Sequence, residues 1–321
     1  MRRRSLGPLT VAAGIALAGL GCREPAAPPV PLRVVSDLWP GYFPGFYAKQ
    51  AGLYDSLGVD VQFALPENTA QMLASFSAQR VDVLIASIAD VLPVLDRLPD
   101  VRIVMCTDES AGADAVVGRR GVAAPAALRG KRVGVKLGGF SELFVRHLLF
   151  TAGLSATDVE LVDLDASVVP AALREGRIDA GQTWEPYLSG LRTEGYPIVA
   201  SSRDTPGLIV QCVFTRAEVV ATREADLRRL VDGWFLGQDR FLADTTAGIA
   251  AVAAYLGRPA TELSAAGVLY LGREENRRRF DGTAATPLLK TLDRQQQFYG
   301  SLGLLRSPVD AAALIDARFL Q

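Results

Sequence analysis

Four short segments carry the side chains best suited to holding a small molecule. Trp184-Glu185-Pro186-Tyr187 sets a flat ring beside a carboxylate. Trp184 offers an apolar wall or a cation–π face, worth about 0.5–2 kcal/mol to a bound cation. Glu185 can accept from a ligand amine or cap the next helix, since an acid before a first-turn proline is also an ordinary helix start. Gly138-Gly139-Phe140-Ser141 precedes a helix-like run. Small residues there turn backbone N–H groups outward, and a helix N-terminus carrying about +0.5 charge suits an anionic head. Ser141 adds a hydroxyl donor or caps the helix. In the loop after the first strand, Trp39 and Tyr42 flank Pro40-Gly41 and suggest an apolar clamp, with Trp39 the residue facing the ligand. Ser87 closes an apolar strand and offers a hydroxyl or a cap; Asp114 offers a carboxylate to a ligand amine or holds a connecting loop. The one histidine, His147, sits mid-helix as a structural residue. A nucleophile–histidine pair and a cysteine cluster are both missing from the sequence, so no catalytic residue, metal or cofactor is expected.

Those segments need elements to aim them. Apolar β-branched runs such as Leu32–Leu38, Val59–Phe63, Val81–Ala86, Val101–Cys106, Lys131–Val135, Ile178–Thr183 and Leu208–Phe214 alternate with helix-like runs at Phe46–Gly52, Thr69–Gln79, Phe140–Ala152 and Val168–Glu175. Such alternation predicts an α/β fold with mainly parallel sheets. After about Thr215 the pattern is helical almost throughout, and Arg277-Arg278-Arg279 reads as a solvated helix face. A loose internal repeat matches Arg33-Val34-Val35 with Arg132-Val133-Gly134-Val135, Ala51-Gly52-Leu53 with Ala152-Gly153-Leu154, and Arg80-Val81-Asp82-Val83 with Arg177-Ile178-Asp179-Ala180. Two lobes of similar wiring follow. Open parallel sheets bind ligands beyond the carboxyl ends of their strands. The segment ends near Trp39, Ser87, Gly139 and Trp184 should therefore line one crevice.

The chain has 321 residues, enough for two ordinary lobes, and its net charge of −1 without a basic stripe argues against nucleic acid. Residues 1–21 read as a signal peptide: Arg2-Arg3-Arg4, then the short apolar run Leu9–Leu20. Leu20-Gly21-Cys22 and the Pro/Ala-rich stretch 22–31 resemble a lipoprotein junction and tether, with lipid on Cys22 anchoring the chain to a bacterial membrane. Arg3 and Arg4 leave general and twin-arginine export both open.

Several fragments in order resemble the substrate-binding proteins of nitrate, sulfonate and taurine importers: LRVVSDLWPGY from Leu32, YAKQAGLYDSLGVDV from Tyr47, GADAVV from Gly112, LRGKRVGV from Leu128, GRIDAGQTWEPYL from Gly176 and SSRDTPGLI from Ser201. The resemblance implies the type II periplasmic-binding-protein fold, two βαβ lobes joined by a two-segment hinge. Lobe one would comprise 32–107 plus 205–321 with the C-terminal helices, and lobe two 108–204. It further implies a monomer at the periplasm or cell surface that passes a small anionic or zwitterionic ligand, such as a sulfonate, taurine or nitrate, to an ABC permease and its ATPase. Two alternatives stay open. One is a binder of thiamine-pyrimidine precursors or a synthase-like enzyme on this fold; the other is a ligand-sensing receptor subunit. Cys106 and Cys212 would fall near the hinge crossings, as two buried free thiols or as a disulfide.

Overall fold

A computed structural model describes residues 30–321 apart from 99 and 306. The expected signal peptide, the expected lipid-attachment residue Cys22 and most of the expected tether lie outside the described residues. The strands are β1 (Leu32–Val35), β2 (Val61–Ala64), β3 (Val83–Ser87), β4 (Val101–Ser110), β5 (Asp114–Gly118), β6 (Arg132–Val135), β7 (Glu160–Asp163), β8 (Ala180–Trp184), β9 (Ile198–Ser201), β10 (Val210–Arg216) and β11 (Val268–Tyr270). They form a six-stranded sheet in the order β11-β4-β10-β3-β1-β2 and a five-stranded sheet in the order β7-β6-β8-β5-β9.

The internal repeat is physical. In one sheet β1 pairs in parallel with β2 and β3; in the other β6 pairs in parallel with β7 and β8. The same arginine–aspartate clamp locks both triplets. Asp82 accepts from the Arg33 backbone N at 2.9 Å and from its Nη2 at 2.9 Å. Asp179 accepts from the Arg132 backbone N at 3.0 Å and from its Nη2 at 3.1 Å. Each aspartate immediately precedes the third strand of its triplet, so the clamp sets the register between the first and third strands. Gly52 and Gly153 close the matched helices with φ of 66° and 68°, where a side chain would be strained.

The chain crosses from the larger to the smaller sheet between Ser110 and Asp114, three residues beyond the expected boundary at 107/108. Asp108 still belongs to the larger sheet, where it pairs with Gln211 and Tyr270. The return crossing runs from Ser201 to Val210. Cys106 and Cys212 are cross-strand partners inside β4 and β10, free and buried, with 2.7 Å between sulfurs. A bridge there would join two strands of one sheet.

Helices after β10 wrap the larger sheet. The long helix Ala217–Ala243 buries Trp234 and Phe241 and packs on the helix Phe43–Gln50. Gly45 permits that approach, because a Cβ there would meet the Trp234 ring at 2.3 Å. Two expectations for this region need correction. The helical run is interrupted by β11, three residues between Gly267 and Gly272 that extend the sheet beside β4. Arg279 is not on a solvated face: it is 4% exposed and ion-paired to Glu109 at 2.6 Å, while Arg277 and Arg278 stay exposed. Among the described residues no helix is long and apolar enough to cross a membrane.

Candidate functional site

The carboxyl ends of the parallel strands in both sheets open onto one cleft of about 990 Å³. From the larger sheet come Asp37, Trp39 and Tyr42 after β1, and Ser87 and Asp90 after β3. From the smaller sheet come Phe140 after β6, and Trp184 and Glu185 after β8. Burial of the strand ends against helices leaves these residues as the inner wall.

Each wall residue is held by its neighbours. After β1 the chain turns through a short 3-10 helix, Pro40–Tyr42. The Tyr270 hydroxyl on β11 donates to the Pro40 carbonyl at 2.9 Å, so the strand missing from the sequence reading pins this turn. The Trp39 indole N–H donates to Asp108 at 2.7 Å, and the Tyr42 hydroxyl donates to Gln211 at 2.9 Å. Gly41 lies hard against Asp108, where a Cβ would come within 2.0 Å of the carboxylate. Ser87 lines the cleft and also caps the helix Ile88–Val91, accepting from Ala89 N at 3.2 Å. The cap is made, and the residue keeps its place on the cleft wall. Trp184 is half-buried and meets the Phe140 ring with centroids 5.5 Å apart. Glu185 is 2% exposed, lines the cleft and accepts from Ser189 N at 3.1 Å, so it also caps.

Three expected site residues lie off the wall. Asp114 is buried between β5 and β8, where it accepts from Gln182 at 3.0 Å. Ser141 is 2% exposed, turned into the packed side of the helix Phe140–Thr151. Gly139 touches the opposite sheet's Asp90, whose Oδ1 would lie 2.2 Å from a Cβ at that position. The anion site expected at this helix start is already filled by the chain's own carboxylates. Phe140 N donates to Asp90 at 3.1 Å and Gly138 N donates to Glu142 at 2.8 Å. The Asp90–Phe140 bond spans the two sheets' sides of the cleft.

The site is acidic. Burial pushes the Asp37 carboxyl up to about 6, and Asp90, Asp108 and Asp114 to about 7. Their mutual repulsion adds to the effect, most clearly of Asp37 on the other three. Asp37 and Asp90 were absent from the sequence candidates. The signal for them was position: each follows a parallel strand end by two or three residues. Asp108 was assigned to the crossing and Gln211 to a plain strand, because nothing local marks a residue that meets the site only across sheet neighbours.

A family model described as "NMT1/THI5 like" matches residues 39–232. A putative binding protein of Brucella abortus is 28% identical over 63% of this chain and 64% of its own length, so the chain matches less than two thirds of that relative. Among solved structures, the periplasmic aliphatic sulphonate binding protein SsuA from Escherichia coli aligns with a TM-score of 0.72 at 18% identity, covering 90% of this chain and 98% of that one. The desulfurization enzyme DSZB aligns at 0.67 with 20% identity, covering 90% and 97%. The architecture thus hosts binding proteins and an enzyme alike.

Proposed function

We propose, from the premise that this chain belongs to the NMT1/THI5-like family, that it is an extracytoplasmic solute-binding protein which captures a small molecule between its lobes and presents it to an ABC importer. One observation supports this above the others: strand ends of two repeated βαβ units converge on a single cleft with aromatic and carboxylate walls. The two-sheet wiring with paired crossings is the arrangement in which a hinge closes on a ligand. Delivery needs only that the ligand favour the closed form, with no bond made or broken. A putative sulfonate transporter component from Methylobacillus flagellatus and the ligand-binding component of an ABC-type import system from Staphylococcus aureus align at TM-scores of 0.67 and 0.68, which adds fold-level support for this class. Export and lipid anchoring through Cys22 complete the proposal.

The ligand-binding residues proposed are Trp39, Tyr42, Ser87, Phe140, Trp184 and Glu185, joined by Asp37 and Asp90. A thermal-shift panel of alkanesulfonates, taurine, nitrate, bicarbonate, thiamine-type pyrimidines and organic amines tests the reading. A ligand at 100 times its dissociation constant adds about 2.7 kcal/mol of stability. The binder should be recovered chemically unchanged, and Trp184→Ala should abolish the shift in a folded protein. Turnover of the binder would replace import by enzymatic chemistry. No shift with any member would remove the solute-binding role.

A further inference from the structure

We propose that the cleft selects a small organic cation bearing a flat unsaturated ring, of the amidine or protonated heteroaromatic-amine class, over a sulfonate or other anion. This rests on the solute-binding reading above and names the ligand's chemistry.

Charge is the first argument. Asp37 and Asp90 face the cleft from the larger sheet and Glu185 from the smaller. Asp37 Oδ1 accepts from Trp39 N at 2.9 Å and Asp90 Oδ1 from Phe140 N at 3.1 Å, which leaves Oδ2 of each open to a further donor. Glu67, Asp165 and Glu262 add carboxylates around the lining. Among the described residues lining the cleft, Arg258 is the one that is basic; its side chain is 51% exposed and lies 4.0 Å from Glu262. Behind the wall, Asp108 sits under Trp39 and Asp114 beside Gln182. An anion entering here would meet carboxylates on both sides, and the helix N-terminus suited to receive it already holds Asp90 and Glu142.

Shape is the second argument. Trp39, Tyr42, Phe140 and Trp184 all line the same space, with Phe140 and Trp184 half-buried and Trp39 and Tyr42 set deeper. Ring faces attract cations and stack on flat ligands. Desolvation keeps the Asp37 and Asp90 carboxyls partly protonated near neutral pH when no counter-charge is present, and a bound cation is the group that would hold them ionised. The same carboxyls, if kept protonated as donors, would instead favour an anion. The two cases have opposite pH dependence.

Three molecules of one shape and different charge separate them: benzamidine, benzamide and benzenesulfonate, titrated into the full mature chain by tryptophan fluorescence. Benzamidine should bind at least about tenfold tighter than benzamide, and benzenesulfonate weakest of the three. Benzamidine affinity should rise between about pH 6 and about pH 8 as the carboxyls ionise. Asp90→Asn and Asp37→Asn should each cut the benzamidine-over-benzamide affinity ratio about tenfold. If either variant fails to fold, the pH series on the unaltered chain still decides. Tighter binding of benzenesulfonate, or benzamidine affinity that falls with rising pH, overturns the cation preference and leaves solute binding standing. Silence from all three overturns the preference as well; a shift from an anion in the thermal panel then preserves solute binding, and a blank panel ends both.

Discussion

Replacing Arg279 by methionine tests how the two crossings are held. Arg279 Nη2 donates to Glu109 Oε2 at 2.6 Å, and its Nε donates to Glu275 at 3.3 Å. Glu109 also accepts from Gly207 N. Glu109 is the penultimate residue of β4 before the chain leaves for the smaller sheet, and Gly207 lies in the returning segment before β10. One ion pair therefore ties both crossings to the helix Arg273–Asp281. Both partners are about 5% exposed or less, so water cannot replace the lost arginine. Breaking a buried pair from one side costs about 3–5 kcal/mol. At roughly 2–4 °C per kcal/mol for a chain approaching this size, Arg279→Met should lower the melting temperature by about 6–20 °C. Thermal unfolding followed by circular dichroism measures it, and urea unfolding gives the loss in kcal/mol. The double variant Glu109→Gln with Arg279→Met should regain at least about half the loss, because most of the cost is the orphaned carboxylate. A single-variant loss under about 1 kcal/mol would refute the reasoning by showing that Glu109 reaches water or another donor.

Three further outcomes follow from the same geometry. Gly139 has φ of −135°, extended backbone open to any residue, so Gly139→Ala acts only through the clash with Asp90. It should break the Asp90–Phe140 bond, worth about 1.5–3 kcal/mol, and speed amide exchange at Phe140 about tenfold or more without unfolding either sheet; unchanged exchange would refute it. Asp37, Asp90, Asp108 and Asp114 hold protons more tightly folded than unfolded, with values raised to about 6 or about 7 from an ordinary 3.8. The folded state then binds more protons between about pH 4 and about pH 7, so ligand-free stability should fall as pH rises through that window. Asp82 and Asp179, held low by their arginines, act in the opposite sense only below it. A urea midpoint that climbs from about pH 5.5 to about pH 8 would contradict this. Burial pushes the Cys212 thiol up, so the unreduced protein should react with maleimide only after unfolding and then titrate both Cys106 and Cys212; an absence of thiol would show them bridged.

The repeat, and with it the direction in which the strand ends point, is legible in the order of residues alone. Arg33 and Asp82 echo Arg132 and Asp179, and the strands they clamp lead to Trp39, Ser87, the Gly139 turn and Trp184. Periodicity and order are local properties, written into neighbouring residues, and the carboxyl-end rule turns them into a place. The electrostatics of that place come from contacts made across the fold. Asp90 reaches the helix start across the cleft, Asp108 meets Trp39 from a strand on another segment, and Arg279 is drawn inward by Glu109. β11 completes its sheet by pairing antiparallel with β4, a strand far earlier in the chain. Desolvation, ion pairing and edge pairing depend on what folds over a residue from far along the chain, and no window of sequence around that residue contains the information.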